Sequence, residues 1–327
     1  MGLSDIYHTV DAKWVKLNMK KGLQLEGLWI FFFHTLLENP RYYHQHNLFP
    51  HEYMTVAKFR LLISYFIDNG FQFISPTQLQ DISSQRNTYA MITFDDGYYN
   101  NHLCLPVLEE YQIPAVFNIA TDYTEHPRSF WWDVHYRVSK TRGKSMKNIL
   151  SEQQELKKLS YYSVEERLKS ECGENAFLPI GDMDRPFTAS ELKDFAQSPY
   201  VYLGNHTHHH AILPHLSYDA LTYEIQSTQK YLHQLTGTLP HVIAYPNGNF
   251  SEKVIPFLSN QFLQFGFTVI AGINSLESLQ NPTQALQLKR FQPNGLRKIE
   301  NQCIQIHGYQ HSMKRWLSRH KTAESGW

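Results

Sequence analysis

A chain of 327 residues with 30 Lys and Arg against 30 Asp and Glu can bury a large core and is normal in length for one α/β barrel. The formal charge of zero leaves no electrostatic footprint for nucleic-acid binding. Three cysteines, Cys104, Cys172 and Cys303, stand far apart without a CxxC, so neither a disulfide framework nor a thiolate zinc site is indicated.

The N-terminus, Met1-Gly2-Leu3-Ser4-Asp5-Ile6, has an acid where a secretory signal carries bases. No apolar stretch follows, and Ile6 stands where a myristoylation signal requires Ser or Thr. These features read as a soluble, cytoplasmic protein. The first expected strand, 28–33, is the longest apolar run, too short to span a bilayer, and it ends at His34. Residues 54–69 carry Phe59, Leu62, Ile63 and Phe66 at helical spacing, which predicts an amphipathic helix. Further strands are expected at 71–75, 89–95 and 115–120.

The rhythm then breaks. From about 131 to 185 the chain is charged and helical, without a clear strand or an obvious core of its own, and reads as an insertion between barrel units. It opens on Phe130-Trp131-Trp132-Asp133. These aromatic rings either stack on a pyranose or anchor the insertion to the barrel. Strands resume at 200–205, 241–245, 267–271 and 286–291. Between the first two of these, 217–235 carries Leu221, Ile225, Leu232 and Leu235 in a helical pattern. In the C-terminal tail, 301–327, residues 313–321 are basic, with Trp316 and Leu317 among Lys314, Arg315, Arg319 and Lys321. That stretch suits a solvated helix or peripheral contact with an anionic membrane.

Strands alternating with helices, without a Gly-rich dinucleotide fingerprint, predict a closed or nearly closed α/β barrel. We expect one domain over 1–327, with its core at about 25–295. A barrel gathers its chemistry at the C-terminal ends of its strands. Here those ends carry His34, Asp95 and Asp96, His206, Tyr245-Pro246, and Arg290.

Asp95 and Asp96 follow the run Ala90-Met91-Ile92-Thr93-Phe94 and precede Gly97. Adjacent carboxylates repel unless a cation or a proton separates their roles. A glycine after them lets the backbone turn so that both reach one pocket. The other reading is a turn in which Asp caps the next helix. In His206-Thr207-His208-His209-His210 the two outer histidines fall four residues apart, a spacing that suits two imidazole ligands on one side of a turn. One carboxylate and two histidines make a three-ligand divalent-metal site with room for water; a chance polar cluster is the alternative.

Thr93-Phe94-Asp95-Asp96-Gly97 together with His206-Thr207-x-x-His210 resembles the first two motifs of the NodB-type polysaccharide deacetylases, carbohydrate esterases that remove acetyl groups from sugars on a distorted (β/α)7 barrel. Ala244-Tyr245-Pro246-Asn247-Gly248 is similar to their third motif, and Asn69-Gly70-Phe71-Gln72-Phe73-Ile74-Ser75 resembles a strand entry of one bacterial branch. The resemblance implies a divalent metal, usually Zn2+, on Asp96, His206 and His210, with Asp95 as general base. It also implies an oxyanion and substrate contact near Tyr245, Pro246 and Asn247, and an N-acetylated saccharide as substrate. The sequence departs from the family in two places. The usual late Leu-x-His is absent, and only Ile304-Gln305-Ile306-His307 comes near it. The strand ending in His34 is similar to a branch in which the donor histidine opens the domain, which makes His34 the expected general acid and His307 the second choice. No Arg precedes Tyr245, so Arg290 becomes the candidate to orient Asp95. Two other functions fit the same barrel: a saccharide binder without turnover, and an amidohydrolase on a non-sugar amide.

Overall fold

The apolar runs become parallel strands because helices cover one face of the sheet while its other face lines a barrel interior. The computed structural model describes residues 3–19, 26–44, 48–82 and 87–311; the basic segment 313–321 lies outside them. In chain order the strands are β1 Gly27–Phe33, β2 Gln72–Phe73, β3 Thr88–Phe94, β4 Ala115–Ile119, β5 Val201–Asn205, β6 Val242–Ala244 and β7 Phe265–Phe267. The spatial order is β1-β3-β4-β5-β6-β7, with β2 paired to the start of β3, and all pairings are parallel.

Side chains divide by parity. Trp29, Phe31 and Phe33 of β1, with Ala90, Ile92 and Phe94 of β3, pack against Phe59, Leu62, Ile63 and Phe66. Those last four sit on the helix Val56–Asp68, whose N-cap Thr55 accepts a hydrogen bond from the Lys58 N–H. The alternate residues Leu28, Ile30 and Met91 face Val116, Val242, Phe267 and Leu288 in a second cluster, the barrel interior. The second expected helix runs Tyr218–Thr236, between the Ser217 N-cap and Gly237 at φ 76°.

Residues 286–291, expected as a strand, close the barrel through single parallel bridges, Phe267↔Leu288 and Phe31↔Phe291. The ladder is broken because Asn274 intervenes: its side chain accepts from the Lys289 N–H at 2.8 Å and donates to the carbonyls of Lys289 and Leu28. The expected strand at 267–271 is shifted to β7, since beyond Phe267 the chain turns outward and leaves Val269 and Ile270 half exposed. A helix at Leu3–Met19, not expected from the sequence, packs beside Ile299–His307; Gln305 donates to Asp11 Oδ2 at 2.7 Å.

Between β4 and β5 the crossover holds the helices Trp131–Thr141, Met146–Leu156 and Tyr161–Cys172. It does have apolar packing of its own: Trp132, Val134, Leu156, Val164, Leu168 and Phe177 form a cluster completed by Tyr98, Ala120 and Tyr123 from the barrel side. The charged sequence hid this core because its apolar positions are spread over four short elements.

Candidate active site

Register decides which side chains meet. Phe33 pairs with Phe94, and Phe94 with Phe117, so the next residues, His34, Asp95 and Asn118, share the interior parity at the upper rim. His206 follows β5 and Arg290 follows Leu288 with the same parity. Asp96, on the wrong parity, joins them because its own φ is 75° and Gly97 follows at 88°, which swings the chain back over the barrel mouth. The energetic cost of a left-handed Asp is tolerated at a place that needs its carboxylate inside.

Asp96 Oδ1 lies 3.2 Å from His206 Nε2 and 3.4 Å from His210 Nε2. All three residues are almost fully buried, and Asp96 Oδ1 has no hydrogen-bond partner. His206 Nδ1 lies 2.8 Å from the Ala244 carbonyl. A carbonyl can only accept, so Nδ1 carries the proton and Nε2 keeps its lone pair. An orphaned carboxylate oxygen facing an imidazole lone pair suits a cation between them, so these residues fit a divalent metal. His210 reaches the group through left-handed φ values at Thr207, 65°, and His210, 55°. Thr207 Oγ1 accepts from the Ala211 N–H and holds that loop.

Asp95 is gripped at both oxygens by Arg290, at 2.9 and 2.7 Å. Asn118 Nδ2 adds a third bond at 2.8 Å. Burial pushes the Asp95 pKa up, but the charge and hydrogen bonds of Arg290, together with the nearby His206 and His34, outweigh it and hold the carboxyl at about 2. Arg290 is fully buried, donates also to Thr93 Oγ1 and the Thr268 carbonyl, and lies 4.3 Å above the Phe32 ring.

His34 sits at the cavity wall, its Nδ1 3.1 Å from Glu52 Oε2. Glu52 Oε1 accepts from the backbone N–H of both His34 and Thr35. Burial lowers the His34 pKa, yet Glu52 and the two aspartates raise it to about 9 overall. The His51 ring stacks on His34 with centroids 4.3 Å apart. His307 is elsewhere: it bonds Tyr65, packs on Phe71, and burial lowers its pKa to about 4.

These groups line a cavity of about 570 Å³ that also includes Trp131, Trp132 and Lys157. Trp132 packs its ring 4.7 Å from that of His210 and donates to the Tyr98 hydroxyl. The tryptophans therefore anchor the crossover and form the cavity wall at once. On the third-motif segment, Tyr245 has odd parity: its N–H donates to Phe267 O, its hydroxyl to Leu286 O, and its carbonyl accepts from Gly248. Pro246 is buried beside it and Asn247, at φ 56°, faces the cavity. Sequence reasoning missed Glu52, Asn118 and Thr93. Only the proximity of Thr93 to the Asp pair could have suggested one of them; Glu52 lies in a loop whose approach to His34 no spacing reports.

A sequence profile described as polysaccharide deacetylase matches residues 83–269, more than half of the chain. It takes in Asp95, Asp96, His206, His210 and the Tyr245–Asn247 segment; His34, Glu52 and Arg290 lie outside it. No curated protein matches by sequence. Among solved structures the chain is similar to a polysaccharide deacetylase from Bacillus cereus, at 18% identity and TM-score 0.58 over 86% of this chain and 69% of that one. It is also similar to the Streptococcus pyogenes deacetylase PplD, solved in complex with acetate, at 19% identity and TM-score 0.55 over 84% of this chain and 96% of that one. A third, IcaB from Ammonifex degensii, has 17% identity and TM-score 0.53 over 88% and 99%. At such identities these likenesses speak for the fold, the distorted (β/α)7 barrel. The profile match, carried by the stretch that contains the paired aspartates and the histidine loop, adds the lineage: the chain belongs to the polysaccharide deacetylase family, hydrolases that act on the amide bonds of acetylated saccharides.

Proposed function

We propose that the chain is a metal-dependent hydrolase that removes an N-acetyl group from a sugar, the substrate being a polysaccharide or glycoconjugate precursor. One observation carries this reading: a single cavity brings together a ligand-type trio, Asp96, His206 and His210, an arginine-held carboxylate, Asp95, and a glutamate-held imidazole, His34. A saccharide binder without turnover has no use for the last two. The cavity volume, about 570 Å³, is in the range that encloses a small ligand, and its tryptophan wall suits the apolar face of a pyranose.

When held by Asp96, His206 and His210, a divalent cation such as Zn2+ supplies Lewis-acid charge to the acetyl carbonyl and acidifies water. Asp95 takes the proton of the attacking water. Of the roughly four lone-pair sites on a carboxylate, Arg290 and Asn118 occupy three, and one remains for that proton. Attack makes the acetyl carbon tetrahedral; the C–N bond then breaks as His34 donates a proton to the leaving amine. Asn247, rather than Tyr245 with its committed groups, is the donor to the developing oxyanion.

The test is acetate release from N-acetylated saccharides by the chain loaded with zinc, cobalt or nickel. Wild type should turn over, and Asp95→Asn should bind metal as before while losing about 10²–10⁴-fold in kcat. An inactive wild type, or an Asp95→Asn enzyme equal to it, would sink the proposal.

A further inference from the structure

The histidine loop uses two of its members for the cavity and sends the other two the opposite way. His208 and His209 meet Asp122, from the helix Thr121–Glu125, and one ligand-type atom from each of the three lies within 4.8 Å of the others. All three residues are buried, at 7, 7 and 8% exposure. The hydrogen bonds around them fix which ring nitrogens carry protons. Thr228 Oγ1 donates to the Glu224 carbonyl, so its single proton is spent and it accepts from Thr121 Oγ1 at 3.2 Å. The Thr121 hydroxyl proton is then spent too, and Thr121 Oγ1 accepts from His208 Nδ1 at 2.9 Å. His209 Nδ1 likewise donates to Glu224 Oε1 at 2.7 Å. With Nδ1 so committed, Nε2 is the nitrogen each imidazole has for a metal, backed at Nδ1 as metal-binding histidines are, and the remaining neighbour is a carboxylate.

The surrounding charge points the same way. Arg128 bonds both Asp122, at 2.5 Å, and Glu165, at 2.7 Å, while Glu224 backs His209. Two carboxylates meet the one guanidinium, His126 Nδ1 lies 3.3 Å from Asp122 Oδ1, and the third carboxylate, Glu224, faces the His209 imidazole, so carboxylates outnumber the fixed positive charge.

We propose that Asp122, His208 and His209 form a second divalent-metal site, of the zinc type, separate from the cavity centre and structural in role. Its donor set, one carboxylate and two imidazoles, repeats that of Asp96, His206 and His210 and suits zinc, cobalt or nickel. Ligand atoms of a tetrahedral site stand about 3.4 Å apart given bonds near 2.1 Å, so a group already within 4.8 Å needs at most about 1.4 Å of closure on binding. Thr207 and His210 hold left-handed backbone on either side of it, and a cation at this point pins the loop against the helices Thr121–Glu125 and Tyr218–Thr236. The proposal does not rest on the catalytic reading.

The full chain is stripped with a chelator and titrated with Zn2+ alone, and bound metal per chain is counted, with Co2+ absorption as a second readout. Wild type should hold two equivalents; Asp122→Asn and His208→Gln should each hold one, and Asp96→Asn one. The Co2+ d–d intensity per chain should fall by about half in each. Two different variants of the second site are compared, with circular dichroism reporting their fold. One equivalent in wild type, lost in Asp96→Asn and kept in Asp122→Asn and His208→Gln, overturns the second site. One equivalent lost in Asp122→Asn and kept in Asp96→Asn upholds it and overturns the cavity centre instead.

Discussion

An isolated histidine titrates near 6.5, and burial alone would hold His34 below that. Glu52 reverses the balance and, with the aspartates, brings it to about 9. Because the folded value is raised, the stability that this pair contributes is complete below the ordinary histidine pKa and is lost as pH rises through about 9. The same proton is the one His34 donates in catalysis; a dication on Asp96 offsets the aspartate contribution, so the alkaline limb of kcat/KM of the metal-loaded enzyme should fall below about 9. Glu52→Gln keeps an acceptor for the N–H groups of His34 and Thr35 but removes the charge. It should move the limb downward and reduce the rate at pH 8 by about tenfold or more, with little effect below pH 6. A pH profile of the metal-loaded variant decides this, and an unmoved limb would remove His34 from the donor role. His34 itself was legible in the sequence because it ends an apolar strand. Glu52 was not, since the loop that delivers it has neither periodicity nor a motif, and its approach to His34 is purely tertiary.

At the level of elements, the strand alternation that located the barrel also explains which rim residues face inward. Asp95, Asn118, His206 and Arg290 follow the inward parity, and Tyr245 follows the outward one, so its hydroxyl ends on Leu286 O rather than in the cavity. That part was readable once strand ends were known to one residue, which apolar runs do not supply: the run at 267–271 paired two residues earlier than its hydrophobicity suggested. Asn118 depends on a further element. A Cβ on Gly204 of β5 would overlap Asn118 Oδ1 and crowd Val242 Cγ2, so β5 leaves space for the amide that steadies Asp95. Gly204→Ala should displace Asn118 and lower kcat by about 10²-fold, the scale of an ångström-sized misplacement of a catalytic group, with metal content unchanged. Adding Gly204→Ala to Asn118→Ala should cost little more than Asn118→Ala alone, because the two act on one contact. Additive losses measured in that cycle would show that the glycine serves packing alone.

For the whole molecule, the catalytic carboxylate and the closure of the barrel are one problem. The chain returns to β1 through 288–291, and Arg290 reaches from that closing segment to Thr268 O beside β7, to Thr93 in β3 and to Asp95 just beyond it. Its guanidinium therefore ties the last segment to the centre of the sheet through a fully buried ion pair. The sequence suggested the pair but not its reach, since residues 195 positions apart meet only when the barrel closes. Removing one partner of a buried pair leaves an uncompensated charge and costs about 3–5 kcal/mol, whereas replacing both with neutral groups is far less costly. Arg290→Met should thus lower the thermal midpoint sharply. Its pH dependence should also change sign. In the wild type the depressed Asp95 pKa gives stability that is present above the ordinary carboxyl range and lost as pH falls through about 2. Without Arg290, burial prevails and raises that pKa, so the variant should lose stability as pH rises through the shifted value. Arg290→Met with Asp95→Asn should recover most of the midpoint while remaining inactive. Thermal melts of the three proteins across pH 4 to 8 test this, and a double variant no more stable than Arg290→Met would mean that the arginine supports the barrel through its packing on Phe32 and its bond to Thr268 rather than through the charge it neutralises.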